Sequence, residues 1–127
     1  MARKFIFHGK SLEEVQALST EEFLNLIKSR ARRYVHRMPV DYKRLLDKVK
    51  KVGPNKEIKT TIREAVIIPQ WVGMKFKVHG GKEFKLVTIQ PDMMGRRLGD
   101  FVHTTGRVLH SGPGVGATRG SKFLPLK

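Results

Sequence analysis

The chain has 127 residues, contains no cysteine, few acidic residues and a single tryptophan, and has no long apolar run. Without cysteine, neither a disulfide bond nor a thiolate metal site can form. No apolar stretch approaches the roughly 20 residues that a membrane-spanning helix requires, and the first residues lack the apolar segment of a signal peptide. We therefore expect a soluble intracellular protein with no membrane partner.

Positive charge is what the sequence has in excess. Lysine and arginine number 26 against 11 acidic residues, which gives a formal net charge of +15. Such a charge opposes compaction by self-repulsion unless an anionic partner neutralises it. The isoelectric point of about 10.6 is typical of a nucleic-acid-binding protein. Nucleic acid is the favoured partner, with an acidic protein or an anionic membrane surface as the alternative.

The sequence contains no convincing catalytic or cofactor-binding motif. The five histidines lack the short spacings of a zinc site, and the acidic residues mostly fall at predicted helix starts. Gly112, Gly114 and Ala117 fit a loose dinucleotide fingerprint, but no strand precedes them and no helix follows. We expect no metal, no cofactor and no enzymatic activity, and a small nuclease is the least favoured function.

Two capping signals begin the N-terminal part. Ser11 and Ser19 are each followed three residues later by glutamate, which is the spacing of a capping box. They predict a short helix to about residue 18 and a long helix over residues 19–38, whose apolar residues recur every three or four positions. Residues 1–10 are basic and are expected to be irregular.

A third helix is expected between Pro39 and Gly53. Pro39 should end the preceding helix, and Asp41 is a suitable cap for a helix that continues to about residue 51. Gly53, followed by proline, should end this helix. The long helices expose lysines and arginines with few acids between them, which favours phosphate contact over a merely solvated face.

An antiparallel hairpin is predicted in the middle of the chain. Residues 74–79 and 84–89 alternate with a period of two, and Gly80 and Gly81 lie between them. Glycine there supplies the positive φ that a tight turn requires. The polar face of the first strand consists of Lys75, Lys77 and His79.

A short helical turn is expected after the hairpin, and it leads to Arg96 and Arg97 between two glycines. Gly95 and Gly99 would each cost roughly 1 kcal/mol relative to alanine inside a helix. Their presence therefore predicts a close approach, either of another backbone or of RNA.

The predicted fold class is α+β, built on a small antiparallel sheet. Residues 1–53 form an N-terminal helical extension, residues 54–107 form the core scaffold, and residues 108–127 form an extended basic tail within one domain overall. Trp71 is expected in the core rather than as a base-stacking platform. The tail is rich in glycine and free of acids, so we expect it to become ordered on a polyanion.

Several separated motifs agree in order and spacing with a known family. They stand in this chain as Lys59-Thr60, Ile67-Ile68-Pro69, Trp71-Val72-Gly73, Val78-His79-Gly80-Gly81-Lys82 and Gly95-Arg96-Arg97-Leu98-Gly99-Asp100-Phe101. Residues 59–107 thereby resemble the small-subunit ribosomal protein family numbered nineteen. The N-terminal helices and the tail resemble its archaeal and eukaryotic members. The chain departs from the family pattern at Arg96 for histidine, Asp100 for glutamate, and Val102-His103 for alanine-proline.

The resemblance implies a structural, non-catalytic protein in the head of the small ribosomal subunit, in the cytoplasm. It implies ribosomal RNA as a partner, held by phosphate and shape contacts, together with the neighbouring head protein numbered thirteen. It also implies that the tail extends toward the tRNA-binding region of the decoding centre. The residues expected to contact RNA are Lys59, Arg63, Lys75, Lys77, His79, Lys82, Arg96, Arg97 and Arg107 in the scaffold and Arg119, Lys122 and Lys127 in the tail. The glycines expected to permit close backbone approach are Gly73, Gly95 and Gly99.

A DNA-binding regulator is the alternative function. In that hypothesis the helix over residues 19–38 would enter a groove of the duplex. The helix has few of the asparagine and glutamine side chains that read bases, which weighs against it.

Overall fold

The structure, a computed structural model, describes residues 3–108 and has the predicted α+β class. Helices form the N-terminal half, and a three-stranded sheet follows them. The elements are β1 Ile6–Phe7, β2 Lys10–Ser11, α1 Leu12–Ala17, α2 Thr20–Leu26, α3 Ser29–Arg37, α4 Val40–Val52, β3 Ile58–Thr60, β4 Lys75–His79 and β5 Phe84–Thr88, with 3₁₀ helices at Pro69–Trp71, Pro91–Met93 and Leu98–Phe101. None of the helices in residues 3–108 is long and apolar enough to cross a membrane. The predicted tail lies almost wholly outside the described residues.

An irregular conformation was expected for residues 1–10, but residues 6–11 form the hairpin of β1 and β2. The two strands pair antiparallel and leave His8 and Gly9 as the turn. Both turn residues have positive φ, 48° and 79°, which matches the right-handed twist of a two-residue hairpin. Phe7 then stacks on Phe23 of α2, with ring centroids 6.0 Å apart, and this contact joins the hairpin to the core.

Both predicted capping boxes are confirmed. The backbone N–H of Ser11 donates to the Glu14 carboxylate at 2.8 Å, and that of Ser19 donates to the Glu22 carboxylate at 3.0 Å. In return each serine hydroxyl accepts a hydrogen bond from the backbone N–H of its glutamate. Each box therefore satisfies two backbone donors that a helix start would otherwise leave open.

The prediction of one continuous helix over residues 19–38 is wrong, because α2 ends at Leu26 and α3 begins at Ser29. Ile27 and Lys28 between them have extended backbone, with ψ of 169° and 146°. The break frees carbonyls at the end of α2, and the Arg32 side chain donates to those of Leu24 at 2.9 Å and Ile27 at 3.2 Å. The alternative DNA-binding function thereby loses the long helix on which it depended.

The third predicted helix exists as α4, but Asp41 is not its cap. The N-cap is Pro39, whose carbonyl accepts from the Lys43 backbone N–H at 3.0 Å, and Asp41 lies inside the first turn. A carboxylate there still interacts favourably with the helix dipole. Gly53 ends the helix as predicted, with φ of 80°.

The predicted hairpin is confirmed, and a third strand extends it. β4 pairs antiparallel with β5, in a register that sets Lys75 opposite Thr88 and His79 opposite Phe84. Gly81 in the turn has φ of 105°, a conformation that favours glycine. β3 adds to the other edge of β4 in parallel, so the sheet is mixed in order β3-β4-β5 and not purely antiparallel.

One hydrophobic core joins the helices to the sheet, with residues from both sides of Gly53. Trp71 is 2% exposed, which confirms its prediction as a core residue. Its ring packs on Phe76 of β4, with centroids 4.9 Å apart, and on Tyr42 of α4 at 6.4 Å. The Tyr42 hydroxyl donates to the buried carbonyl of Val66 at 3.1 Å, so the helical layer is also hydrogen-bonded to the scaffold.

Gly95 and Gly99 do not bracket one helix, since Gly95 lies in a turn with φ of 78° and Gly99 lies in the 3₁₀ helix Leu98–Phe101. Residues 95–99 run antiparallel to residues 63–67, with backbone hydrogen bonds that include Ile67 N–H to Arg96 C=O at 2.8 Å. A β-carbon at Gly99 would lie 2.9 Å from the Arg63 carbonyl oxygen. The sequence predicted a close approach of either another backbone or RNA, and at Gly99 the structure shows another backbone, that of Arg63.

Candidate nucleic-acid interface

The predicted basic strand face lies on the solvent side of the sheet. Lys59, Lys77 and Leu86 are register partners across the three strands, so their side chains share one face. The opposite face carries the buried Phe76 and Val78. We call the solvent side the outer sheet face, and it consists of Lys59, Lys75, Lys77, His79, Phe84 and Leu86.

Aromatic and apolar groups separate the cations of the outer sheet face. The Lys59 ammonium lies 4.2 Å from the centroid of the Phe84 ring, which is a cation–π geometry. Leu86 is 51% exposed although it is a large apolar side chain. The Lys77 ammonium pairs with the Glu57 carboxylate at 2.6 Å, and this hydrogen bond lowers the pKa of Glu57. The other two lysines of this face make no ion pair among residues 3–108.

His79 is held in one orientation on the same face. Its ring meets Phe84 edge-on, with centroids 5.0 Å apart, and its Nδ1 accepts from the Gly81 backbone N–H at 3.2 Å. Because Nδ1 accepts, the neutral ring carries its proton on Nε2. His79 can therefore donate a hydrogen bond outward even when it is uncharged.

Arg63 is placed differently from the other predicted RNA contacts. Its guanidinium is partly buried and donates to three backbone carbonyls, those of His79 at 2.7 Å, Gly99 at 2.9 Å and Val102 at 2.5 Å. These bonds connect the end of β4 to the segment that leads into the tail. The structure therefore uses Arg63 as an internal crosslink.

The remaining predicted residues occupy separate places. Lys82 is exposed in the β4–β5 turn, and Arg107 is exposed near the end of the described chain. Arg96 is exposed, whereas Arg97 is half-buried and faces α3 across a groove. The predicted tail contacts Arg119, Lys122 and Lys127 lie outside the described residues.

The three glycines differ in their surroundings. Gly73 has φ of 86° and open space where a β-carbon would project, and its N–H donates to the Ile89 carbonyl at 2.8 Å. Gly95 faces the side chain of Ile27, and Gly99 faces the backbone of Arg63. Close packing against the protein itself therefore accounts for glycine at the last two positions.

Sequence reasoning favoured phosphate contact for the basic faces of the helices but did not name the arginines of α3 among the site residues. Arg30, Arg33 and Arg37 are exposed and lie at positions i, i+3 and i+7, which places them along one side of the helix. The signal in the sequence was a helix rich in arginine with no acid from Lys28 to Pro39. No group of three histidine or acidic residues within residues 3–108 is suited to hold a metal ion.

Comparison with known proteins gives the family. The model of "Ribosomal protein S19" matches residues 32–110. The chain is 44% identical to small ribosomal subunit protein uS19 of Thermoplasma volcanium, and 42% identical to that of Thermoplasma acidophilum. Each alignment covers 99% of this chain and 83% of the relative.

These matches confirm the predicted family and the predicted similarity to its archaeal members. Because the family is structural and non-enzymatic, they also confirm the prediction that the chain is not an enzyme. They also support the expected cytoplasmic location, since the small subunit acts in translation there. The chain belongs to the ribosomal protein S19 family, whose members are structural, non-enzymatic components of the small ribosomal subunit.

Proposed function

We propose that this chain binds ribosomal RNA in the head of the small subunit and that the outer sheet face is its principal contact surface. The observation that carries the proposal is the concentration of Lys59, Lys75, Lys77 and His79 on one rigid face. Lys82, Arg96 and Arg107 are exposed and extend the contact beyond the sheet. Arg63 supports this surface from below through its three carbonyl bonds.

Phosphate and shape contacts suit these side chains. Lysine ammonium groups are point charges that neutralise phosphates without reading bases. The deep groove of an A-form RNA helix hides its base edges, so a folded RNA presents mainly its backbone to such a surface. Phe84 and Leu86 add apolar area between the charges, where riboses or an unstacked base can pack.

The tail and the protein neighbour form a further part of the proposal. Arg119, Lys122 and Lys127 would extend toward the tRNA-binding region, and the head protein numbered thirteen would lie beside the chain. Both statements rest on what the resemblance to the family implies. Site-directed crosslinking from position 122 in assembled subunits would test the tail, with adducts to bound tRNA expected. Adducts confined to RNA remote from tRNA would contradict it.

A charge-matched pair of variants tests the main contact surface. The variant K59Q/K75Q/K77Q removes three positive charges from the outer sheet face, and K43Q/K50Q/K51Q removes three from the exposed side of α4. Affinity for RNA of the small-subunit head is measured over a range of salt concentrations. Each lost phosphate contact should reduce the slope of log K against log salt by roughly 0.7 to 0.9.

The two variants should differ if the outer sheet face is the contact. We expect the sheet variant to lose affinity and up to roughly 2 to 3 units of slope, because three lysines are removed. The α4 variant should change much less. Equal losses of RNA affinity in both variants would show that only net charge matters. An unchanged affinity in the sheet variant would refute the outer sheet face as the RNA contact surface.

A further inference from the structure

A second cationic surface lies between α3 and Arg97, the residue that precedes the 3₁₀ helix Leu98–Phe101. It is a groove whose charged lining consists of Arg30, Arg33, Arg37, Arg97 and Glu64, and Tyr34 also lines it. We call it the arginine groove. None of its lining residues belongs to the outer sheet face, so the two surfaces are separate.

The arginines of this groove are not used to hold the protein together. Their neighbour Arg32 donates to carbonyls at the end of α2, which explains its presence in α3. By contrast, the side chains of Arg30, Arg33 and Arg37 make no hydrogen bond or ion pair within residues 3–108. The groove is thus lined by four arginines and one carboxylate, that of Glu64, and none of them forms an ion pair within residues 3–108.

The walls of the groove are fixed before any ligand binds. Ala31 and Val35 bury the opposite side of α3 in the core. The other wall is held by the Leu98 N–H, which donates to the Ala65 carbonyl at 3.0 Å, beside the bridge of Val66 with Arg97. A preorganised site loses less conformational entropy when it binds.

The spacing of the arginines suits an extended polyanion. An α-helix rises about 1.5 Å per residue, so Arg30 and Arg37 are separated by roughly 10 Å along the axis, with Arg33 between them. A row of that length matches successive charges along a strand better than one isolated anion. Guanidinium groups also bind phosphate oxygens in pairs, which lysine cannot do.

We propose that the arginine groove binds the sugar–phosphate backbone of a second segment of ribosomal RNA, separate from the segment on the outer sheet face. The inference rests on the proposed function, since it names a further contact with the same partner. Two surfaces on one rigid body would act together, because binding one RNA segment raises the effective concentration of the other. The protein would then hold two parts of the folded RNA at a fixed distance.

The experiment compares three variants that each remove three positive charges. R30Q/R33Q/R37Q alters the groove, K59Q/K75Q/K77Q alters the sheet, and K43Q/K50Q/K51Q is the control on α4. All nine positions except half-buried Lys77 are exposed, and glutamine is a good helix former at the six positions on α3 and α4, so folding should persist. Circular dichroism checks the fold of each variant, above all of the sheet variant. The readouts are affinity for small-subunit head RNA and the hydroxyl-radical footprint of the full chain on that RNA.

We expect the groove variant to lose about tenfold or more in affinity and roughly 2 units of salt slope. It should lose one footprinted RNA segment and keep another, and the sheet variant should show the reverse pattern. If the groove variant matches the α4 control while the sheet variant is weakened, the groove proposal fails and the proposed function stands. If neither variant differs from the control, both fail.

Discussion

The Cγ2 methyl of Ile27 lies 2.8 Å from the point that a β-carbon on Gly95 would occupy. Ile27 stands at the break between α2 and α3, and Gly95 lies in the turn that precedes Arg96 and Arg97. The missing side chain at Gly95 is therefore what lets the broken helix pack against the scaffold. It also positions α3 beside Arg97, so this contact builds one wall of the arginine groove.

Replacing Gly95 with alanine should destabilise the fold for two reasons. The position has φ of 78°, and the added methyl group would overlap Ile27. Left-handed backbone costs roughly 1 to 2 kcal/mol for a residue with a side chain, and overpacking a core adds about 1 to 3 kcal/mol. The loss of unfolding free energy measured by urea denaturation should equal the sum of the backbone cost and the overpacking cost.

Gly73→Ala provides the control, because Gly73 has φ of 86° but nothing within 4 Å of its β-carbon position. It should show the backbone cost alone. Gly95→Ala should lower the unfolding free energy less in an Ile27→Ala background than in wild type, because the Ile27 side chain is then absent. Equal free-energy losses for Gly73→Ala and Gly95→Ala would show that the Ile27 contact is unimportant.

Arg63→Lys should destabilise the protein although the charge is kept. A lysine has no planar fork and cannot reach the carbonyls of His79, Gly99 and Val102 together. Hydrogen bonds to charged groups contribute about 1.5 to 3 kcal/mol each, so we expect a loss of about 2 to 4 kcal/mol in unfolding free energy. Arg96→Lys, at an exposed position, should change stability by less than about 0.5 kcal/mol.

The same pair of variants separates structure from RNA contact. If Arg63 acts as an internal crosslink, Arg63→Lys should lower the unfolding free energy and leave the affinity of the folded protein for RNA nearly unchanged. A stable Arg63→Lys protein with weakened RNA binding would instead return Arg63 to the interface.

Local signals in the sequence identified part of this architecture. The capping boxes at Ser11 and Ser19 and the period-two strands around Gly81 depend on residues close together in the chain, so they were predicted correctly. The break at Ile27 was not, because its apolar spacing continues the helical pattern through Ala31. At this break the Ile27 side chain packs against Gly95, which lies far along the chain, and a local pattern cannot indicate such a contact.

In the candidate site, too, features that depend on neighbouring residues were predicted, and features that depend on distant residues were not. Alternation along β4 was enough to place Lys75, Lys77 and His79 on one face. The role of Arg63 could not be predicted, since its acceptors lie 16, 36 and 39 residues away. The parallel addition of β3, which brings Lys59 to the same face, likewise depends on long-range pairing.

Tyr42→Phe should destabilise the contact between the helical layer and the scaffold. The Tyr42 hydroxyl is buried and donates to the Val66 carbonyl at 3.1 Å. Burial raises the pKa of Tyr42, so the phenol keeps its proton. Removal of the donor should cost about 1 to 2 kcal/mol in chemical denaturation, because the carbonyl stays buried. Tyr34→Phe is the control and should be nearly neutral. A neutral Tyr42→Phe would show that water replaces the hydroxyl.

Acid should destabilise the protein through Glu22 and Glu57. The backbone N–H of Ser19 lowers the pKa of Glu22, and the hydrogen bond from Lys77 lowers that of Glu57. A carboxylate whose pKa is lower in the folded than in the unfolded state stabilises the fold above its unfolded pKa. That contribution is lost as pH falls through the folded pKa, so stability should decline below about pH 4.5.

Unfolding free energies of Glu22→Gln and Glu57→Gln, measured by urea denaturation between pH 3 and pH 7, test this prediction. Each variant should be less stable than wild type at pH 7, and the difference should shrink toward pH 3, because the carboxylate is then protonated in wild type as well. Glu21→Gln removes one charge from the same turn as Glu22 but no capping hydrogen bond, and it corrects for the change in net charge. A difference from wild type that stays constant over the whole pH range would mean that neither hydrogen bond favours the ionised carboxylate, and the acid sensitivity would then have to come from other carboxyl groups.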